Sequence, residues 1–273
     1  MNYDPAFVAH RPILAQDDLQ HLHCLGERYS LGRFKDDGRN YEEVAIDFVY
    51  TSAKIEGNTY DRLDTDNLLK LGITAGGKRY SDAVMLLNLR SGFDMVMTAD
   101  STTRLDVDYV CGLHKVLMKD LLPSHEQGIA RTTGVIIGAS RYRPLPDAQR
   151  LRTELKAIMT EADKYADPFE KAIYLHCNLA YLQYFRDGNK RTARMMQTGA
   201  MVQAGIMPML FSDTLIDQYV RALVNYYETG QYQPYIDFFK TSYERTISNM
   251  QGEQCAVEPD TPGAEQTPRG RGR

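Results

Sequence analysis

Along this chain, apolar residues recur at three- and four-residue spacing far more often than they alternate, and the pattern predicts an all-α protein. Leu14–Leu31 mixes polar and apolar positions as one helix. Tyr41–Ile55 carries Val44, Phe48 and Ile55 near helical spacing, and Asp82–Thr98 repeats Val84, Leu87 and Phe93. Val107–Leu121 and Leu151–Ala166 follow the same logic. Phe169–Gln183 is the clearest case, with Ala172, Leu175, Leu179 and Leu182 as one stripe. After a short polar break, Met195, Gly199, Val202 and Ile206 mark another helix. Thr214–Glu228 and Tyr235–Ser248 complete the set.

Thr132–Pro146, TTGVIIGASRYRPLP, breaks the pattern. β-Branched residues, then Gly-Ala-Ser, then alternating Tyr and Arg predict a short β-hairpin ended by Pro144 and Pro146. A lone two-stranded ribbon is marginal in water, so such a hairpin needs a purpose.

Composition narrows the classes without choosing among them. The 273 residues are 43% hydrophobic and 25% charged, with a net charge of −4, as in an ordinary soluble globular protein. The slight acidity argues against a dedicated nucleic-acid binder, which shows a clustered basic face. Cys24, Cys111, Cys177 and Cys255 are scattered, with no CxxC pair, and read as reduced thiols of a cytoplasmic protein. No signal peptide is evident near residue 1, and no apolar run approaches the roughly 20 residues of a membrane span. From Gln251 the composition turns to Gly, Pro, Glu and Arg, and a tail over 249–273 is expected to be disordered.

Candidate chemistry concentrates in FRDGNKRTAR, residues 185–194. Asp187-Gly188-Asn189 can form a tight turn opening a helix near Lys190. Such a turn aims unpaired backbone N–H groups outward at the positive end of the helix dipole and binds anions. Gly188 lets the backbone approach a ligand closely. Arg191 and Arg194 are i,i+3, so their guanidiniums share a face of the first turn. Two forked cations above an amide nest suit an oligophosphate. Asp187 at the mouth offers one oxygen ligand to Mg²⁺, which favours a carboxylate plus phosphate oxygens. The same residues also fit a common turn followed by solvated arginines, and turn chemistry alone leaves both readings open.

The stretch resembles the signature of the Fic family, H-x-F-x-[DE]-[GA]-N-[GK]-R-x-x-R. Phe185, Asp187, Gly188, Asn189, Lys190, Arg191 and Arg194 all match. Ser52–Gly57, SAKIEG, is similar to the [ST]-x-x-x-E-[GN] inhibitory motif that some Fic proteins carry in an N-terminal helix. The hairpin at 132–146, with Val135, Ile136, Ile137 and Gly138, falls where the family has its target-positioning flap. The resemblance covers about residues 40–245 and implies a Fic-type helical bundle with one β-hairpin flap. An N-terminal helical region would span 1–80 and the Fic domain 81–248.

By that resemblance the chain moves AMP from ATP to a protein hydroxyl, with ATP and Mg²⁺ as cofactors. Asp187 would hold Mg²⁺, Gly188, Asn189 and Lys190 would form the anion hole, and Arg191 and Arg194 would hold the β- and γ-phosphates. An unknown protein target would bind at the flap by strand addition. A homodimer is compatible with the family, and neither a membrane nor a nucleic-acid partner is expected. Ser52 and Glu56 lie i,i+4 on one helix face, and Glu56 delivered to Arg194 would exclude the γ-phosphate. Gly57 completes that motif.

One position departs from the pattern. The family's general base is a His two residues before the Phe, and here that position is Gln183. An amide cannot take a proton near neutral pH, which typically costs on the order of 10²–10⁴ in rate. His176, two turns back on the same helix and about 10 Å away, suits a buried packing position. His114 and His125 lie in other segments. Lys190 stands where most AMP transferases have Gly and the related Doc toxins, which transfer phosphate, have Lys. The reading is therefore an autoinhibited, slow adenylyltransferase. Its alternatives are a catalytically weak nucleotide-binding regulator, an enzyme removing AMP with Glu56 aligning a water, and a Doc-like phosphotransferase.

Overall fold

The computed structural model describes residues 1–138 and 140–255, and it is almost entirely helical. Eleven α-helices are described: α1 Gln16–Glu27, α2 Leu31–Asp36, α3 Gly38–Ile55, α4 Arg62–Leu71, α5 Tyr80–Met97, α6 Val107–Leu117, α7 Ala148–Ala162, α8 Pro168–Leu182, α9 Asn189–Gln203, α10 Ile216–Thr229 and α11 Gln233–Cys255. None of them is long and apolar enough to cross a membrane.

The bundle is organised around α8 and α9, which pack together along their length. Asp167 caps α8 by accepting the backbone N–H groups of Phe169 and Glu170, and Pro168 occupies the first turn, where its missing donor costs nothing. From Phe169 to Leu182 nearly every side chain is buried, so α8 is apolar all round and must lie at the centre. The short 183–188 connection folds α9 back along it. Helices α5 and α6 cover α9, α7 and α10 cover α8, and α3 packs on α5.

Two short helices were not expected from periodicity. Ser30 caps α2, separating it from α1, and Asp61 caps α4. Polar α4 is held to α3 by ion pairs of Arg62 with Glu43 and Asp47 and of Lys70 with Glu43. Helix α11 runs to Cys255, past residue 249 where the disordered tail was expected to begin. The remainder of that tail lies outside the described residues.

The hairpin expected over 132–146 does not form among the described residues. Its second limb pairs elsewhere. Arg143 receives Tyr3 N–H on its carbonyl at 3.2 Å and donates its own N–H to Met1 at 2.7 Å, a single parallel bridge. With those backbone groups taken, the limb over Val135, Ile136, Ile137 and Gly138 is left without a ladder and runs as a loop. Arg131 closes the loop instead, donating Nη1 to Thr133 O at 2.8 Å and Nη2 to Leu145 O.

Candidate functional site

The 183–188 loop joins two helices through two left-handed residues. Gln183 ends α8 at φ 50°, and Gly188 opens α9 at φ 75°. Between them the Asn189 side chain staples the loop. Its Oδ1 accepts Phe185 N–H at 2.8 Å, and its Nδ2 donates to Phe185 O at 2.8 Å and to Gln183 Oε1 at 3.3 Å. Asn189 thus shapes the turn rather than presenting its amide to a ligand. Arg131 adds a second staple, donating Nε to Gln183 O at 2.7 Å.

His114 on α6 fixes the far side. It stacks on Phe185 at 3.7 Å between centroids, accepts Gly128 N–H at 2.8 Å on Nδ1 and contacts Asp187 O at 3.0 Å through Nε2. Because Nδ1 accepts, the proton belongs on Nε2. Burial first, against a partly offsetting hydrogen bond to Asp187, holds the His114 pKa down to about 4. A neutral ring with both nitrogens engaged is a scaffold, not a base. His176 is buried against Tyr219, with burial pushing its pKa well down. Neither histidine lines the cavities that Gln183 lines.

Gly188 is required twice over. Its φ is left-handed, and a Cβ there would meet Met118 Sδ at 2.6 Å. An alanine at this position does not fit this backbone. Gly188→Ala is expected to destabilise the chain by about 1–3 kcal/mol, read as a lower midpoint in chemical denaturation.

What the loop builds is an uncapped helix start. No side chain caps α9, so the N–H groups of its first turn are free. They open on a cavity of about 280 Å³ lined by Glu56, Gln183, Arg186, Asp187, Gly188 and Lys190. Asp187 accepts Gly188 N–H at 2.6 Å and Arg191 Nη2 at 3.0 Å, and remains exposed at the mouth. Arg191 is only 3% exposed, yet its Nε and Nη1 have no hydrogen-bond partner. A buried guanidinium with two idle donors beside free backbone N–H groups is a site prepared for an anion. Arg191 and Arg194 are thus buried rather than the solvated arginines of the plain-turn reading.

Arg194, in contrast, is saturated. It is fully buried and donates Nε to Ser52 Oγ at 2.8 Å, Nη2 to Ser52 O at 3.1 Å and to Glu56 Oε1 at 2.9 Å, and Nη1 to Tyr219 OH at 3.3 Å. Glu56 also lies 3.6 Å from Lys190 Nζ. Burial works against the Glu56 carboxylate, but Arg194, Lys190 and Arg191 together hold its pKa below the usual range. Helix α3 delivers this group because it stops immediately afterwards. Gly57, at φ 79°, donates to Lys54 O and Asn58 to Ala53 O, a Schellman ending that leaves Glu56 as the cap. Ser52 O, released from the last helical turn, goes to Arg194.

A second cavity of about 320 Å³ adjoins the first, sharing Ile136, Gln183 and Lys190 with it. Its other walls are Tyr219, Val220, Leu223, Val224 and Tyr227 from α10, with Ile137 and Gly138 from the loop. Nothing local in the sequence marks this wall, an apolar and aromatic stripe indistinguishable from core, and nothing marks Arg131, since a lone arginine before a loop carries no motif. Ile136, 83% exposed, overhangs both cavities. No group of three or more His, Cys, Asp or Glu side chains gathers among the described residues. A cation here would need Asp187 together with oxygens brought by the ligand.

Comparison with known proteins places these residues in context. Residues 104–198 match the profile of the Fic/DOC family. The chain is 24% identical over 221 residues to protein adenylyltransferase fic-1 of Caenorhabditis elegans, covering 78% of this chain and 42% of that protein. It is 26% identical over 215 residues to protein adenylyltransferase Fic of Nematostella vectensis, covering 77% and 49%. It thus spans less than half the length of these curated relatives. Among solved structures, Fic-1 of C. elegans superposes with a TM-score of 0.71 at 21% identity, over 87% of this chain and 71% of that one. A Fic-domain signaling protein from Bacteroides thetaiotaomicron gives 0.73 at 17% identity, over 89% and 100%. The helical architecture is therefore a Fic fold.

Proposed function

We propose that this chain, in which residues 104–198 carry a Fic/DOC family domain, is an ATP-binding protein adenylyltransferase held in an inhibited state by Glu56. The observation that carries the reading is the pairing of an uncapped α9 start, and an Arg191 with two donors idle, with an adjoining apolar cavity. One cavity suits an oligophosphate and the other a nucleobase. The relatives named above as adenylyltransferases support the same assignment.

Each residue then has a task. The α9 N–H groups and Arg191 bind phosphate oxygens and stabilise charge developing during transfer. Asp187 would hold Mg²⁺ jointly with those oxygens, and the metal would neutralise charge on the departing pyrophosphate. The apolar α10 wall holds the base, and Ile136 on the loop meets the target protein. Glu56 occupies Arg194 and keeps it from a terminal phosphate.

Removing the clamp tests the assignment. Glu56→Gly is expected to tighten ATP binding by about tenfold or more, since one charge-assisted hydrogen bond is worth roughly 1.5–3 kcal/mol. Calorimetric titration of the full chain with ATP and Mg²⁺ reads this, and unchanged affinity would count against the inhibitory role. Label from α-labelled ATP appearing on protein would support AMP transfer, and label from γ-labelled ATP alone would indicate phosphate transfer. A second reading, a nucleotide-binding regulator without turnover, is favoured by one observation: Gln183 has no basic replacement within the site.

A further inference from the structure

Among the described residues, every carboxylate and imidazole near the acceptor side of this site is already hydrogen-bonded, ion-paired or enclosed in the core. His114 on α6 has both ring nitrogens engaged, and His176 on α8 is enclosed by Phe211, Tyr219 and Tyr235. The Glu56 carboxylate from α3 is held by Arg194 and Lys190. Asp187 receives Gly188 N–H and Arg191, and Glu126 from the 124–126 turn is paired with Arg186. Gln183 donates Nε2 to Ala180 O at 2.7 Å and receives Asn189 on Oε1. Arg131 is committed to the backbone carbonyls of Gln183, Thr133 and Leu145.

What remains at the cavity is donor chemistry. Lys190 lines both cavities and is 36% exposed. An alcohol placed here keeps its proton, because nothing removes it. An acceptor already ionised at neutral pH needs no base and would be held by the Lys190 ammonium.

We propose that the group adenylylated by this site is a carboxylate, an acidic side chain or C-terminal carboxylate of a peptide or protein. One carboxylate oxygen bonds to the α-phosphorus of ATP as the bond to the bridging oxygen breaks. The electron pair leaves with pyrophosphate, the product is a mixed acyl–adenylate anhydride, and no proton is transferred. This rests on the AMP-transfer reading above and narrows its acceptor.

The test uses the full chain carrying Glu56→Gly, with ATP, Mg²⁺, neutral hydroxylamine and two degenerate peptide pools. One pool offers Asp, Glu and free C-termini without Ser, Thr or Tyr. The other offers Ser, Thr and Tyr without carboxylates. The expected result is hydroxamate formation in the acidic pool, with AMP and pyrophosphate released in equal amounts. Its rate should vary less than about twofold between pH 6.5 and 8.5, where carboxylates are already ionised. AMP fixed stably to the hydroxyl pool alone, rising about tenfold per pH unit, would overturn the carboxylate acceptor and leave AMP transfer standing. If neither pool reacts, even with Gln183→His added, both the acceptor and the AMP-transfer reading fail.

Discussion

Adding Gln183→His to Glu56→Gly is expected to raise AMP transfer to hydroxyl acceptors by on the order of 10²–10⁴-fold. The site favours the replacement structurally. Position 183 sits at φ 50°, a left-handed conformation in which His occurs more readily than Gln. Its side chain is half-buried at the junction of both cavities, and its backbone carbonyl is fixed by Arg131. Imidazole there would supply the missing proton acceptor without rebuilding the anion site. Transfer to carboxylates should change little, because no proton leaves that acceptor. Single-turnover assays on the two peptide pools read the difference. A hydroxyl rate unmoved by the histidine, with ATP still bound, would mean that the obstacle lies beyond the absent base.

Arg191→Met is expected to weaken ATP binding by on the order of 10²-fold while leaving the fold as stable or slightly more so. The two effects part because the guanidinium is buried with Nε and Nη1 unpaired in the free chain. Removing a buried, half-satisfied cation relieves a desolvation cost, and the Asp187 it releases is exposed. Calorimetric titration beside urea denaturation of the same variant separates them. A residue of purely structural purpose would behave in the opposite way, losing stability and sparing affinity.

Much of this could be read from the chain. Helix α8 was legible because its apolar stripe is long and regular, and the 185–194 turn because its residue types each have a narrow physical purpose. The clamp was legible only in part. Ser52 and Glu56 share a helix face by spacing, but that the face meets Arg194 depends on how α3 packs, which local sequence does not encode. Helix α4 stayed hidden because ion pairs to α3, rather than an apolar period, hold it in place. The hairpin failed for a related reason. β-Branched residues favour extended backbone, yet the partner of an extended strand is a tertiary matter, and Arg143 finds Met1 and Tyr3 instead. Arg131, His114 and Tyr227 act through contacts distant in sequence and left no local trace.

The abrupt ending of α3 at Gly57 has a quantitative consequence. Asn58 is locked by donating to Asp82 O at 2.9 Å, and Thr59 Oγ1 donates to Asp82 at 2.7 Å, so Glu56 has no slack on either side. On the inhibitory role proposed for it, a carboxylate mounted this rigidly would act as a tethered competitor whose local concentration is millimolar or higher. Dilution cannot weaken it, and only the level of free nucleotide can outbid it. Occupancy of the site would then follow a simple isotherm whose midpoint is raised by a constant factor, the same at every protein concentration.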